Sequence, residues 1–281
     1  MPRTVVLKLK WLQTAVQDPD WIKSSTKTPL MRGFLFSDVI IETHRFFTRD
    51  MNQDQSELNK FNAVSDSWWD PYGHFRPLHD LNPVRLGWIA AHVSLENKNI
   101  LDIGCGGGIL SESLAREKAT VTGIDLAENA LQTARKHCHH SGFPIRYIAI
   151  SAEDLAKKEA GKYDIVTCME LLEHVPDPCS IVKACSKLIK PGGHVFFATL
   201  NRNLKSLFYA IIGAEYIMRL LPKGTHRYEK FITPAELSRY VRSTGMIVTD
   251  ITGVTCDFSA KKFNLNHNTQ VNYMLACTKP E

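Results

Sequence analysis

LDIGCGGGIL, residues 101–110, is the most informative segment of the chain for its fold class. Its first letters are typical of a buried β-strand, four glycines follow within five positions, and a helical pattern begins at Ile109. Glycine permits a positive φ and lets a ligand approach the backbone closely. The first turn of the following helix presents N–H groups that have no partner within the helix. The stretch therefore predicts a strand–turn–helix unit that can bind a nucleotide-like ligand.

Strand-like and helix-like runs alternate on both sides of this stretch, between residues 99 and 200. Such alternation is typical of a parallel sheet with helices on both faces. With two final strands near 247–251 and 271–277, it predicts a Rossmann-like α/β fold with a seven-stranded, mainly parallel sheet. Thr233 and Glu236, with proline between them, predict a capping box at the start of a helix.

The rest of the chain divides into three further parts. Helical spacing interrupted by prolines and a glycine predicts a helical cap of two helices over residues 51–98, which precedes the domain of residues 99–281. Residues 1–50 show no sustained period and form an appendage of unknown role. Met51 is a candidate for the natural start. The apolar insert 203–224 has basic ends and predicts an interfacial helix at a membrane, or alternatively a core segment or dimer contact.

Charge and cysteine content limit the function classes. The 281 residues carry a net charge of +5, and eight Lys/Arg against five Asp/Glu place +3 of it in residues 1–50. The remaining chain is close to neutral, which argues against a nucleic-acid partner. Seven cysteines without a C-x-x-C pair argue against a secreted disulfide framework. A small-molecule substrate in a reducing compartment is the expectation.

Two carboxylates near the glycine turn distinguish between cofactors. Asp125 ends the second strand, where a carboxylate can accept hydrogen bonds from ribose hydroxyls. The NAD pattern G-x-G-x-x-G needs glycine at position 109, but the chain has Ile109. Asp102 precedes the glycines, and its charge repels a pyrophosphate but suits the ammonium and sulfonium groups of S-adenosylmethionine. The charge pattern favours S-adenosylmethionine.

Seven stretches carry a resemblance to a known family, from about residue 60 to 277. They are WWDPYGHFRPLHDLNPVRLGWI (68–89), LDIGCGGGILSESLARE (101–117), TGID (122–125), CMELLEHVPDP (168–178), KPGG (190–193), TLNRNLKS (199–206) and LPKGTHRYEKF (221–231). The chain resembles the class I S-adenosylmethionine-dependent methyltransferases, and among them the bacterial O-methyltransferases of ubiquinone biosynthesis. Residues 1–50 have no counterpart in this resemblance.

The resemblance implies methyl transfer to ring hydroxyls of polyprenylated phenol or catechol intermediates, in both O-methylation steps of ubiquinone biosynthesis. It implies a cytoplasmic protein at the inner membrane, with 203–224 on the membrane surface and other enzymes of the pathway as partners. A mitochondrial matrix location is the alternative. Another small phenol or acid is the alternative substrate, and a non-catalytic S-adenosylmethionine-binding protein is the alternative class.

The same resemblance implies that four residues bind the cofactor: Arg85, Gly104, Asp125 and Met169. The charge of Asp102, the place of Gly106 in the glycine turn and the position of Asp154 just after the third strand add these three residues to the predicted cofactor site. Arg85 can clamp the methionine carboxylate with two hydrogen bonds, or it pairs with Asp80 or Glu96 on the surface. Asp154 is placed either to meet the adenine amino group or to stabilise a helix N-terminus.

The catalytic residues are expected in MELLEH, residues 169–174, which follows the fourth strand. Methyl transfer needs a deprotonated hydroxyl held near the sulfonium. In a helix, Glu170, Glu173 and His174 lie at i, i+3 and i+4 and share one face. Together they predict a metal site, for which two carboxylates favour Mg²⁺. Alternatively His174 is the general base, with Glu170 as the second catalytic residue, or the triplet only starts a helix.

Overall fold

The computed structural model describes residues 52–203, 228–257 and 262–281. The appendage of residues 1–50, the candidate start Met51 and nearly all of the insert 203–224 lie outside the described residues. The predictions on those segments therefore stay predictions.

One mixed β-sheet organises the described residues. Its strands, in chain order, are β1 (Asn99–Ile103), β2 (Thr120–Asp125), β3 (Arg146–Ala149), β4 (Tyr163–Met169), β5 (Ile189–Leu200), β6 (Ile247–Asp257), β7 (Lys262–Asn266) and β8 (Asn272–Thr278). They lie in the order β3-β2-β1-β4-β5-β8-β6-β7. The first five are parallel to one another. The last three join by antiparallel pairing.

The prediction of seven strands is wrong by one, since the described residues form eight. The additional strand is β7, which pairs with the far end of β6. Its apolar residues, Phe263 and Leu265, are only partly buried or exposed, so the run KFNLN lacks the pattern of a core strand. The strand near 247–251 is also longer than predicted and continues to Asp257. Together β6 and β7 form a ribbon whose last pairs, from Thr255 onward, have no partner in β8.

Helices cover the sheet and form the cap. They are α1 (Gln55–Ala63), α2 (Arg76–His92), α3 (Ile109–Arg116), α4 (Glu128–Ser141), α5 (Ala152–Lys158), α6 (Pro178–Leu188) and α7 (Pro234–Ser243), with a 3-10 turn at Leu172–His174 and another at Tyr228–Lys230. The two helices predicted for the cap are α1 and α2. The capping box at α7 is confirmed, because Thr233 Oγ1 accepts from Glu236 N while Glu236 Oε2 accepts from Thr233 N.

Both faces of the sheet are buried, as a parallel sheet requires. On neighbouring positions of β5, Phe196 and Phe197 point to opposite faces and both are fully buried. Phe197 belongs to the core that contains residues of α5, α6 and α7. Phe196 belongs to the core formed with α2 and α3. This arrangement leaves the carboxyl ends of the parallel strands directed toward the cap.

The loop between α1 and α2 packs directly on the glycine turn. The ring of Trp68 stacks on Phe75 with centroids 3.8 Å apart. A Cβ added at Gly106 or Gly107 would lie 2.1 Å from a ring carbon of Trp68. The neighbouring Trp69 donates from Nε1 to the carbonyl of Gly107 at 2.9 Å. The missing side chains at these two glycines therefore make room for the cap.

Replacing Gly107 with alanine tests this packing. The added methyl overlaps the Trp68 indole, so we expect Gly107→Ala to lower the free energy of unfolding by roughly 1–3 kcal/mol, as overpacking does. Gly87→Ala is the matched control, because no atom lies within 4 Å of a Cβ built there in α2. We expect this control to stabilise the protein by roughly 0.5–1 kcal/mol. Urea unfolding of both variants measures the difference, and equal stabilities would contradict the contact.

Candidate active site

A large cavity lies at the carboxyl ends of β1, β2 and β4, beneath the cap. Its volume is about 1450 Å³. Pockets for a single small ligand usually measure roughly 300–1,000 Å³, so this cavity has room for two molecules. The cap helices α1 and α2 form one wall, and residues of β6, β7 and β8 form another.

Most of the predicted site residues line this cavity together. They are Arg85, Asp102, Gly104, Gly106, Asp125, Met169, Glu170, Glu173 and His174. Since these residues come from the cap and from the ends of three strands, the fold brings together positions that are far apart in the sequence.

Asp154 is not among the residues that line the cavity, which corrects its predicted place at the adenine. It lies in the first turn of α5, where its backbone N–H donates to Ser151 Oγ at 3.1 Å. Its carboxylate accepts from Lys157 Nζ at 2.7 Å, and this contact lowers the pKa of Asp154. Asp154 therefore occupies the helix N-terminus, and its neighbours Ser151 and Glu153 line the cavity instead.

The carboxylate of Asp125 supports the glycine turn. Its Oδ2 accepts from Gly106 N at 2.9 Å, and its Oδ1 accepts from Ala127 N at 2.8 Å. Gly104 and Gly106 both have positive φ, so L-residues with side chains would be strained there. Burial raises the pKa of Asp125, and the two N–H donors oppose that shift. Each carboxylate oxygen keeps a lone pair for a ligand hydroxyl.

Asp102 is a buried carboxylate with two hydroxyl donors. Its Oδ2 accepts from Ser111 Oγ at 2.7 Å, and its Oδ1 accepts from Thr167 Oγ1 at 2.8 Å. Burial raises the pKa of Asp102 to about 6, although both hydroxyls and the charge of Arg85 lower it. At neutral pH the group is mainly ionised, and its charge favours a cationic ligand in the cavity.

Arg85 is buried in the wall that α2 contributes. Its Nε and Nη2 have no hydrogen-bond partner among the described residues. Burial lowers the pKa of Arg85, whereas the charges of Glu170, Asp102 and Glu173 raise it. The alternative of a surface pair is wrong, because Arg85 is only 5% exposed. Its suggested partners Asp80 and Glu96 instead bind Arg76 and Lys118. Unpaired guanidinium donors in a cavity are suited to a ligand carboxylate.

The acidic turn after β4 is not the helix face that the sequence predicts. Glu170 has φ +57°, and only Leu172–His174 is helical, as a single 3-10 turn. The carboxyl groups of Glu170 and Glu173 nevertheless interact, and burial together with the charge of Glu173 raises the pKa of Glu170 to about 7. Thr199 Oγ1 donates to Glu173 Oε2 at 2.8 Å. Asn272 Nδ2 approaches Glu170 Oε1 at 3.5 Å.

His174 pairs with the cap through one of its two ring nitrogens. Its Nδ1 lies 3.0 Å from Glu57 Oε2. Burial acts to lower the pKa of His174, but Glu57, Glu173 and Glu170 together raise it above its ordinary value. In the part of the chain that the structure describes, no three His, Cys, Asp or Glu side chains are arranged to hold a metal ion.

Several residues of the cavity were not predicted from the sequence, among them Glu57, Trp68 and Asn272. Glu57 lies in a polar run and gives no signal, because its partner His174 is 117 positions away. Trp68 begins the stretch 68–89 that carries the resemblance, but the sequence does not show that it covers the glycine turn. Asn272 begins β8 and looks like an ordinary strand end. The tryptophan pair before D-P-Y-G is the one sequence signal that could have marked this loop.

The comparisons with known proteins agree with this geometry. A sequence-family profile described as a methyltransferase domain matches residues 46–250. Proteins named ubiquinone biosynthesis O-methyltransferase from Burkholderia vietnamiensis and Burkholderia ambifaria are 55% and 57% identical over 228 residues. Each match covers 81% of this chain and 98% of the relative.

Solved structures agree on the fold. Magnesium protoporphyrin IX methyltransferase from Synechocystis with bound SAH has a TM-score of 0.58 at 18% identity, covering 79% of this chain and 96% of that one. A possible histamine N-methyltransferase from Thermotoga maritima also scores 0.58, at 15% identity, covering 79% of this chain and 99% of that one. At such identities the likeness shows the fold alone, which is that of class I S-adenosylmethionine-dependent methyltransferases.

Asp102→Asn separates the stability of this site from its ligand binding. A carboxyl with a raised pKa binds its proton more tightly in the folded state, so its ionisation costs stability as pH rises. For Asp102, with a pKa of about 6, the cost begins above about pH 4 and is complete above about pH 7. Between these limits we expect the wild type to lose up to about 3 kcal/mol of stability relative to Asp102→Asn, at about 1.4 kcal/mol per pKa unit.

The same substitution removes a negative charge from the cavity. We therefore expect weaker binding of S-adenosylmethionine by calorimetry at pH 7.5. Urea unfolding at pH 4.5 and 7.5 checks the stability. A stability difference that does not change with pH would contradict a raised pKa of Asp102.

Proposed function

Because this chain belongs to the ubiquinone biosynthesis O-methyltransferases, we propose that it transfers a methyl group from S-adenosylmethionine to a ring hydroxyl of polyprenylated phenol and catechol intermediates, at both O-methylation steps. The observation that carries this proposal is the 55–57% identity to relatives of that name across 98% of their length. The cavity adds support, since its volume accommodates a methyl donor together with an aromatic ring.

The residues of the cavity fit S-adenosylmethionine. The unpaired Nε and Nη2 of buried Arg85 are placed to bind the methionine carboxylate. Asp102 supplies a negative charge for the amino group and the sulfonium, and Asp125 supplies lone pairs for the ribose hydroxyls. Gly104 and Gly106 let the cofactor approach the backbone, and Met169 forms an apolar surface for the adenosine. When bound, S-adenosylmethionine supplies an electrophilic methyl group on a positively charged sulfur.

His174 is the proposed general base. It lines the cavity, and with Nδ1 bonded to Glu57 its Nε2 is available to take the proton of a ring hydroxyl. Glu170 is the second proposed catalytic residue, because a carboxyl with a pKa of about 7 can accept or donate a hydrogen bond to the same hydroxyl near neutral pH. Together these groups hold the hydroxyl and remove its proton while the cap excludes water.

Mg²⁺ is a proposed second cofactor, held by two of the three predicted ligands. The triad of Glu170, Glu173 and His174 does not fit, because among the described residues no three such side chains are grouped closely enough to hold a metal ion. The paired carboxyls of Glu170 and Glu173 would hold the cation, which would lower the pKa of a ring hydroxyl bound to it. The charge of Arg85 acts on both carboxyls and opposes a dication at this place.

Association with the cytoplasmic face of the bacterial inner membrane is also a proposal, with the mitochondrial matrix as the alternative location. The apolar insert 203–224 with its basic ends, and a substrate with a prenyl tail, support it. Other enzymes of ubiquinone biosynthesis are proposed partners on the same surface. Within the described ranges, no helix is both long and apolar enough to cross a membrane.

Methyl transfer to a prenylated catechol tests the central proposal. We expect turnover with S-adenosylmethionine. We also expect Arg85→Lys to bind this cofactor more weakly, because lysine keeps the charge but cannot bind a carboxylate bidentately. Transfer only to unprenylated phenols or acids would support the alternative substrate. Cofactor binding without any turnover would support a non-catalytic binding protein.

The same assay with EDTA tests the metal. If the carboxylate pair holds Mg²⁺, EDTA lowers the wild-type rate and added Mg²⁺ restores it, whereas Glu170→Gln with Glu173→Gln removes this sensitivity. Full activity in the chelator would overturn the metal proposal and leave the methyl transfer proposal intact.

Sedimentation with liposomes of anionic lipid tests the membrane contact. Changing Phe208 and Ile211 to serine removes apolar surface from the insert, so we expect less protein in the pellet. Unchanged binding by this variant would remove the insert from the proposal.

A further inference from the structure

Glu57 is the buried residue of the cap helix α1, although it is a carboxylate. The apolar neighbours Leu58 and Phe61 are less buried than Glu57. Burial of an ionised carboxylate is costly unless it is paired and hydrogen-bonded. Glu57 meets this condition with two partners: Oε2 lies 3.0 Å from His174 Nδ1, and Oε1 accepts from Lys60 Nζ at 2.8 Å. These contacts hold the pKa of Glu57 at about 2.

The contact with Glu57 assigns different roles to the two ring nitrogens of His174. A carboxylate that accepts from Nδ1–H leaves the lone pair on Nε2. Among the described residues Nε2 has no hydrogen-bond partner, and His174 lines the cavity. The ring of Phe61 meets the imidazole edge-on at 5.2 Å, which restricts its rotation. The cap therefore fixes both the tautomer and the orientation of this histidine.

We propose that Glu57 is a positioning residue for methyl transfer: the cap carboxylate holds His174 with Nδ1 protonated and Nε2 facing the substrate hydroxyl. This inference rests on the proposed function, in which His174 is the base. The hydroxyl proton moves to Nε2, the oxygen bonds to the methyl carbon, and the sulfur keeps the electron pair of the broken bond as a neutral thioether. The imidazolium that forms lies against the charge of Glu57.

The segment before Glu57 is fastened to three other parts of the fold. Asn52 Nδ2 donates to Glu153 Oε1 at 3.0 Å and to the carbonyl of Asp177 at 2.7 Å. Asp54 Oδ2 accepts from Lys230 Nζ at 2.8 Å. Because α1 begins directly after these contacts, they set the place of Glu57 in the cavity. The pair of Glu57 and His174 therefore forms only when α1 is held in place by these contacts.

Glu57→Gln tests the proposal, because the amide keeps the shape but loses the charge. We expect kcat to fall by at least tenfold, and by no more than the roughly 10²–10⁴-fold that general base catalysis supplies. The affinity for S-adenosylmethionine stays unchanged, since Glu57 is not assigned to the cofactor. Asn59→Ala is the matched control on the same helix, because the Asn59 side chain is exposed and accepts from Gln55 Nε2 at 3.0 Å, outside the cavity, so its kcat stays near that of the wild type.

A double-mutant cycle with His174→Asn distinguishes positioning from a general weakening of the fold. If Glu57 acts through His174, adding Glu57→Gln to His174→Asn lowers kcat no further. Equal losses in both backgrounds, or an unchanged kcat in Glu57→Gln, would overturn the proposal.

The ¹⁵N NMR signals of His174 provide a readout without turnover. We expect a protonated Nδ1 and an unprotonated Nε2 in the wild type above the pKa of the ring, and a mixture of tautomers in Glu57→Gln. A wild-type His174 protonated on Nε2 would overturn the proposal even if the Gln variant failed to fold. If no methyl transfer is found in any form, the proposed function fails, while this spectrum still decides whether Glu57 fixes the tautomer of His174.

Discussion

The contact between the cap and the bare backbone of the glycine turn is the constraint on which the site depends. Trp68 can lie on this turn because Gly106 and Gly107 have no side chains. That contact places α1 and α2 over the ends of β1, β2 and β4, and with them Glu57 and Arg85. The carboxylate of Asp125 accepts a hydrogen bond from the backbone of the same turn. One short segment thus positions the cap, the glycine backbone and the second strand relative to each other.

The sequence was sufficient to predict those elements whose signal lies in neighbouring residues. The glycine turn, the alternation of strands and helices and the capping box at Thr233 all depend on neighbouring residues, and the structure contains each of them. Strand β7 was missed because Phe263 and Leu265 lie on a ribbon beyond the main sheet and are not fully buried. The acidic turn was misjudged because the left-handed backbone at Glu170 breaks the helical spacing, and nothing in the sequence requires that conformation. The pairing of His174 with Glu57 depends on the tertiary fold alone.

The charged groups of the cavity make it suitable for a cationic ligand. The same groups lower the stability of the folded protein when the cavity is empty. Burial raises the pKa values of Asp102, Asp125 and Glu170, so the folded protein holds carboxyl groups that would ionise more easily in the unfolded chain. Arg85 places one buried positive charge among them. Stability at neutral pH is thus reduced by groups that are suited to hold a cation. This is a common cost of a preformed binding site.

The acidic residues around Asp102 also affect the release of the demethylated donor. Methyl donation converts the positively charged sulfur into a neutral one, while the amino and carboxylate groups of the molecule keep their charges. The attraction between the cavity acids and that sulfur disappears at the moment of reaction. This attraction therefore favours the methylated donor over its demethylated product, and it contributes to the exchange of one for the other before the next round.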